Sequence, residues 1–72
     1  MSIFADRLKD CRKKTLKTQR EVSSGLGLTE TGYQKYELGY REPNHEITVK
    51  IAKYFNVSTD YLLGLSDNPK HQ

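Results

Sequence analysis

Residues 18–41 read TQREVSSGLGLTETGYQKYELGYR and predict two short helices joined by a tight turn. The first begins with the capping box Thr18-Gln19-Arg20-Glu21, in which the threonine hydroxyl and the glutamate carboxylate each accept a backbone N–H. Gly27 suits the left-handed conformation that ends such a helix. Thr29 is a good N-cap for the second helix, which ends at Gly39. Two capped helices around one tight turn indicate a helix-turn-helix.

Amphipathic patterns on both sides of this segment extend the helical prediction. Upstream, apolar residues stand at helical spacing at Phe4, Leu8 and Cys11. Downstream, the same spacing follows a cap at Asn44 and is carried by Ile47, Ile51 and Phe55. Ser58 then caps a short fifth helix over 59–63. The sequence therefore predicts an all-α fold, a compact bundle of about five short helices.

Length and charge limit what this chain does. Its 72 residues suffice for one small domain, which we place at residues 1–65, followed by a polar C-terminal tail at 66–72 that is expected to fray. A chain this short buries roughly 60% of its unfolded surface, so a deep enzyme pocket is not expected. Twelve Lys and Arg against nine Asp and Glu give a net charge of +3, which permits a polyanionic partner without requiring one.

The single cysteine and the apolar runs bear on the compartment. Cys11 has no second cysteine for an intrachain disulfide, so a reducing cytoplasm is the expected location. We expect no signal peptide, and no stretch approaches the roughly 20 apolar residues of a membrane span, so no membrane partner is expected.

Six short strings, taken in order, resemble the Cro/repressor family of XRE-type helix-turn-helix proteins. They are Arg7-Leu8-Lys9-Asp10, Thr18-Gln19-Arg20-Glu21-Val22, Lys35-Tyr36-Glu37-Leu38-Gly39, Arg41-Glu42-Pro43, Lys50-Ile51-Ala52-Lys53 and Val57-Ser58-Thr59-Asp60-Tyr61-Leu62-Leu63-Gly64. Any one string is weak, but their joint order and spacing over residues 4–65 are specific. The resemblance implies a lambda-repressor-like DNA-binding domain. It further implies a sequence-specific transcriptional regulator of double-stranded DNA, a repressor of the phage or mobile-element kind.

The resemblance also assigns base contacts to the reading helix, at about residues 29–38. Positions that read bases in the family match Glu30, Thr31, Gly32 and Lys35. Lys35 suits guanine O6 and N7, Glu30 suits the amino group of cytosine, and Thr31 offers a methyl group to thymine. Gly32 offers only close approach.

Contacts to the DNA backbone are expected on two sides of the reading helix. The start of the preceding helix, Thr18 and Gln19, places free N–H groups and a positive dipole end where a phosphate would lie. The resemblance adds the loop residues Tyr40 and Arg41, with Gln34 at the edge of the surface. It also pairs Arg12 with Glu37, which would lock the reading helix to the first helix.

A domain of this size reads only a few base pairs, so we expect a homodimer on a near-palindromic operator. Candidate dimer contacts are Tyr61, Leu62 and Leu65. Neither a cofactor nor a small-molecule ligand is expected. His45 and His71 have no cysteine or carboxylate cluster at ligand spacing, so no metal site is expected either.

The chain departs from the family pattern in four places. Leu16-Lys17 replaces a glycine and an apolar residue before the Thr-Gln pair, and we expect Leu16 to supply the missing packing. Ser23-Ser24-Gly25 replaces better helix formers and should weaken the second helix. Leu38 replaces a polar residue at the end of the reading helix. His45 and Thr48 replace leucines of the fourth helix.

Several residues allow two interpretations. Tyr33 and Tyr36 resemble base-stacking residues, but their spacing favours the core, whereas Tyr40 in the loop is left open between surface and DNA contact. Cys11 lies on an apolar face, where packing is favoured over redox chemistry. The basic run Arg12-Lys13-Lys14-Lys17 suits a solvated face, with an extra backbone contact as the alternative. His45 is expected at a helix start, partly buried.

A different function on the same fold also stays open. An antitoxin or a protein-interaction adaptor would use the same helices, and Glu30 and Leu38 on or near the reading helix leave room for that alternative. No nucleophile with its base, carboxylate pair, phosphate loop or metal cluster stands out, so the sequence does not indicate an enzyme.

Overall fold

The computed structural model describes residues 2–70, so Met1, Gln72 and the expectation made for His71 lie outside the described residues. The helices are α1 (Ile3–Lys14), α2 (Gln19–Leu26), α3 (Glu30–Glu37), α4 (His45–Phe55) and α5 (Thr59–Leu63). Residues 2–70 form no β-strand, and the prediction of an all-α bundle of five short helices is confirmed. None of these helices is long and apolar enough to cross a membrane.

Each helix begins with a side chain that accepts a backbone N–H from the first turn. The five capping residues are Ser2, Thr18, Thr29, Asn44 and Ser58. At α2 the complete capping box is present, because Glu21 Oε1 also accepts from the Thr18 backbone N–H over 2.9 Å. Each such cap contributes about 1 kcal/mol, which matters for helices of five to twelve residues.

The same pair of backbone hydrogen bonds ends every helix, with one residue in the left-handed region. Four of these positions hold Gly or Asn: Gly27, Gly39, Asn56 and Gly64. The fifth, after α1, holds Leu16 at φ 58°, with Leu16 N bonded to Lys13 O and Lys17 N bonded to Arg12 O. The Leu16 side chain is 91% exposed, so the expectation that it supplies core packing is wrong. Leu16 therefore occupies the left-handed position of this turn with its side chain in solvent.

Lys17, the next residue, contacts Tyr54 of α4 on the surface of the domain. Its Nζ donates to the Tyr54 hydroxyl over 3.0 Å and lies 5.0 Å from the centre of that ring. The edge of the ring lies close to Gly25, where an added Cβ would come within 2.5 Å of Tyr54 Cε1. Gly25 is therefore the residue that lets α4 approach α2 closely, besides being a weak helix former.

The core is one cluster to which all five helices contribute. Its buried members are Phe4, Leu8, Cys11, Val22, Leu26, Tyr33, Tyr36, Ile51, Ala52, Val57 and Leu62. Both reading-helix tyrosines lie in it, which confirms the packing interpretation. Burial, helped by Asp10, raises the pKa of the Cys11 thiol, so this cysteine is a neutral packing residue at physiological pH.

Two polar replacements in α4 have different outcomes. Thr48 is buried and satisfies its hydroxyl by donating to Asn44 O over 2.8 Å, so this polar side chain brings no unpaired atom into the core. His45 is exposed, and the expectation of partial burial is wrong. As the first residue of α4 it precedes the turn that packs on the core.

Residues 66–70, the described part of the predicted tail, make hydrogen bonds to the rest of the domain, which differs from the expected fraying. Arg7 donates from Nη1 to Tyr61 O over 2.5 Å and to Ser66 O over 2.6 Å, and from Nη2 to Asp67 over 2.9 Å. Ser58 N donates to Pro69 O over 2.8 Å. The boundary placed at residue 65 therefore marks a change in amino-acid composition, but residues on both sides of it contact the same domain.

Candidate nucleic-acid interface

The helix-turn-helix is fixed by one buried carboxylate, that of Glu37 at the end of α3. Arg12 of α1 donates to it from Nε over 2.6 Å and from Nη2 over 3.1 Å. Tyr33 donates its hydroxyl over 2.5 Å, and Gln19 of α2 donates its Nε2 over 3.0 Å. Glu37 thus joins α1, α2 and α3. The network around it includes the pair with Arg12 that the resemblance implied.

This network keeps Glu37 ionised. Burial alone would raise the pKa of the carboxyl, but hydrogen bonds from Arg12, Tyr33 and Gln19 outweigh it and hold the pKa below its usual range. Burial and the neighbouring carboxylate raise the pKa of the Tyr33 hydroxyl, which stays protonated as a donor. A charged, four-fold hydrogen-bonded carboxylate has one orientation, so α2 and α3 have one relative position.

The start of α2 presents free N–H groups. The capping box uses the N–H groups of Thr18 and Glu21, while those of Gln19 and Arg20 have no partner within residues 2–70. Thr18 is exposed and Gln19 is half-buried, with its amide directed to Glu37. The free N–H groups and the positive end of the helix dipole suit an anion.

The outer face of α3 is defined by Thr31 and Lys35, which are four residues apart and both exposed. Glu30, Gly32 and Gln34 are partly exposed around them, whereas Tyr33, Tyr36 and Glu37 face inward. Of the four residues expected to read bases, Thr31 and Lys35 are therefore fully accessible, and Glu30 and Gly32 are partly accessible on the two flanks of this face.

The structure gives a reason for glycine at position 32 that the sequence did not reveal. Its N–H donates to the Thr29 hydroxyl oxygen over 3.1 Å, and an added Cβ would lie 2.9 Å from that oxygen. A side chain here would press on the cap of α3. Gly32 also keeps the exposed surface flat beside Thr31.

A family model for helix-turn-helix proteins matches residues 8–62, which is most of the chain. The chain belongs to the helix-turn-helix family. It is 41% identical over 68 residues to an uncharacterized HTH-type transcriptional regulator, YqaE of Bacillus subtilis strain 168, covering 94% of this chain and 59% of that protein. It is 41% identical over 59 residues to the cryptic phage CTXphi transcriptional repressor RstR of Vibrio cholerae, covering 82% of this chain and 53% of that protein. The chain thus spans little more than half the length of these relatives.

Among solved structures, this helix-turn-helix chain is similar to the P22 c2 repressor protein in a crystal structure with the synthetic operator 9T in the presence of Tl+. The TM-score is 0.81 at 27% sequence identity, over 88% of this chain and 96% of that chain. The lambda-repressor-like arrangement expected from the sequence is confirmed at this level of the fold.

The loop after α3 of this helix-turn-helix domain is exposed at both Tyr40 and Arg41. Tyr40 lies beside Leu38, and the two residues line a shallow groove with Ile3 and Leu63. Leu38 is also exposed.

The residues expected at a dimer surface are not equally available. Leu62 is 0% exposed and packs in the core of its own domain, so the prediction that it contacts a second copy is wrong. Tyr61 is partly exposed, with the Arg7 guanidinium 4.2 Å from its ring centre. Leu65 is largely exposed. Leu62 is the buried residue of α5, and a helix of five residues is too short for its sequence pattern to show which side faces inward.

Sequence reasoning also missed Arg20, which stands beside the reading helix. Its Nε lies 3.5 Å from Glu30 Oε1 at the start of α3, across the turn of the helix-turn-helix. The only signal in the sequence was the presence of opposite charges at the first turns of two neighbouring helices.

Proposed function

We propose that this chain binds a specific sequence of double-stranded DNA and regulates transcription, as a repressor of the phage or mobile-element kind. The observation that carries the proposal is the exposed face of α3 held by the Glu37 network against α1 and α2. A reading helix must keep one orientation while its side chains meet base edges in the major groove. Family membership, the phage repressor among the relatives and the operator-bound structural neighbour support this function.

Base reading is assigned to the outer side of α3. Lys35 donates to guanine O6 and N7, Thr31 contacts a thymine methyl or donates its hydroxyl, and Glu30 accepts from a cytosine amino group. Gly32 permits close approach of the backbone. Each good contact should contribute about 1–3 kcal/mol of discrimination against the wrong base.

Register on the duplex is assigned to two groups that flank this helix. The first is the start of α2, where the Thr18 hydroxyl and the free N–H of Gln19 meet a phosphate. The second is the exposed pair Tyr40 and Arg41, with Gln34 at the edge of the face. These contacts orient the domain and carry little sequence information.

The functional unit that we propose is a homodimer in the cytoplasm, acting by binding and without catalysis. A half-site of a few base pairs gives limited specificity. Two copies on a near-palindrome contact twice as many base pairs. Tyr61 and Leu65 are the dimer contacts that the burial pattern leaves available.

Selection of bound sites from a random pool of double-stranded DNA tests this function. We expect an enriched near-palindrome whose half-sites are centred about 10 base pairs apart. Failure of the wild-type protein to enrich any sequence, together with capture of a stable protein partner, would favour the antitoxin or adaptor alternative. Sedimentation of the protein with and without the selected site reports whether two copies bind.

A further inference from the structure

Arg20 occupies a position that helix stability does not explain. It is the second residue of α2, where the dipole favours acidic side chains and disfavours a cation. Its side chain is 85% exposed, so it gains little from packing. Its ion-pair partner within residues 2–70 is Glu30 of α3, with Arg20 Nε 3.5 Å from Glu30 Oε1. An exposed pair of this kind adds little to stability by itself.

The pair leaves most of the guanidinium free. Arginine has five N–H donors in a planar fork, and Nε carries only one of them. The ion pair with Glu30 involves Nε alone, and the Arg20 guanidinium donates no hydrogen bond to any of the described residues 2–70. The side of the fork used for bidentate recognition of two acceptors is therefore available, next to the first turn of the reading helix.

Charge explains why Glu30 needs this neighbour. Glu30 is partly exposed on the turn that also carries Thr31, and a carboxylate there would repel the phosphates of an approaching duplex. A guanidinium at 3.5 Å makes that corner of the face electrically neutral. Glu30 Oε2 makes no ion pair within the described chain and keeps its capacity to accept from a base.

We propose that Arg20 is a DNA-contacting residue and that Glu30 positions it. The ion pair with Glu30 lies on the Nε side of the guanidinium, which leaves the two terminal nitrogens to meet a pair of acceptors on the duplex, either guanine O6 and N7 or two phosphate oxygens. The inference rests on the proposed DNA-binding function and extends the contact surface from α3 onto α2. It also makes Arg20 and Glu30 one energetic unit, because removing the arginine leaves an uncompensated carboxylate at the DNA.

A double-mutant cycle on the operator selected by the wild-type protein tests this unit. Arg20→Ala should weaken binding roughly tenfold or more, since it removes a fork contact and exposes the carboxylate. Glu30→Gln should act less strongly, and the double variant should bind better than Arg20→Ala alone. Lys53→Ala, which removes one charge from the exposed face of α4, is the matched control. Thermal melting of each variant reports that the fold is intact.

Two further measurements identify the acceptor. If Arg20 reads guanine, site selection with Arg20→Ala and with Arg20→Lys should lose the preference at one G·C pair. If it binds phosphate, Arg20→Lys should retain the selected sequence, and Arg20→Ala should lower the salt-dependence slope by about one.

The proposal is wrong if Arg20→Ala binds within twofold of Lys53→Ala, or if the effects of Arg20→Ala and Glu30→Gln simply multiply in the double variant. If the wild-type protein enriches a specific sequence and either of these results is obtained, the inference about Arg20 is wrong but the DNA-binding function stands. A wild-type protein that enriches no sequence removes the DNA-binding function itself.

Discussion

The side-chain amide of Gln19 donates from Nε2 to Glu37 Oε1 over 3.0 Å. Because an ionised carboxylate only accepts hydrogen bonds, the amide must turn its nitrogen toward Glu37. This bond ties the first residue of α2 to the last residue of α3. The free N–H groups that would meet a phosphate and the side chains that would read bases therefore move as one body.

Replacing Glu37 with Gln should destabilise the domain by about 2–4 kcal/mol, because Arg12 and Tyr33 would lose a charged acceptor in a buried site. Glu37 is only 3% exposed, so water does not replace the lost interactions. Urea unfolding followed by circular dichroism measures the change. Glu42→Gln, in the exposed loop, is the control and should lie within about 0.5 kcal/mol of wild type. Equal stability of the two variants would contradict the central role of Glu37.

The same carboxylate should make the domain sensitive to acid. Its pKa is lower in the folded state than its usual value of 4.5, so its contribution is fully present above that value. The contribution is lost as the pH falls through the lower, folded-state pKa. Urea unfolding of the wild type from pH 7 down to pH 3 should therefore show falling stability below about pH 5.

In Glu37→Gln the acid-induced loss of stability should be smaller. Some loss should persist, because the hydrogen bond from the Thr18 backbone also lowers the pKa of Glu21. Parallel curves for the wild type and the variant would show that Glu37 does not titrate with folding.

Leu16→Gly should stabilise the protein. A residue with a side chain pays about 1–2 kcal/mol in the left-handed region, and Leu16 lies there at φ 58°. The greater conformational freedom of glycine in the unfolded chain offsets part of this gain. We therefore expect the free energy of unfolding to increase by about 1 kcal/mol. For a domain of this size, that increase corresponds to a rise in melting temperature of about 4–8 °C.

Leu16→Ala separates backbone strain from side-chain exposure. Alanine removes the 91% exposed leucine side chain but keeps the Cβ that disfavours a positive φ. We expect its melting temperature to stay near that of the wild type. A rise in Leu16→Ala equal to that in Leu16→Gly would mean that strain at this residue is not the cause.

The features predicted from sequence are those set by neighbouring residues. The cap at Thr29 and the stop at Gly27 follow from local backbone chemistry, and both stand where the sequence placed them. The pairing of Arg12 with Glu37 was reached only through a resemblance, because residues 25 apart in sequence leave no local pattern.

What the sequence missed depends on distances between elements or on side-chain direction. The contact of Gly25 with Tyr54 joins α2 to α4, and the Arg20–Glu30 pair spans the turn between two helices. Leu62 was assigned to the surface because a five-residue helix is too short to show a clear buried stripe. Leu16 was expected in the core because it is apolar, and neither its positive φ nor its exposure can be read from that apolar character.

Lys35→Ala and Arg41→Ala should weaken DNA binding in different ways. Lys35 lies on the outer face of α3, so its loss should reduce affinity for the selected operator by about 1–3 kcal/mol and relax the preference at one base pair. Arg41 lies in the exposed loop after α3, so its loss should weaken binding to all sequences alike and lower the salt-dependence slope by about one. Titrations of the selected operator and of a scrambled duplex at several salt concentrations measure both effects. Uniform weakening by Lys35→Ala, or loss of base preference in Arg41→Ala, would reverse the two assignments, because a backbone contact carries no sequence information.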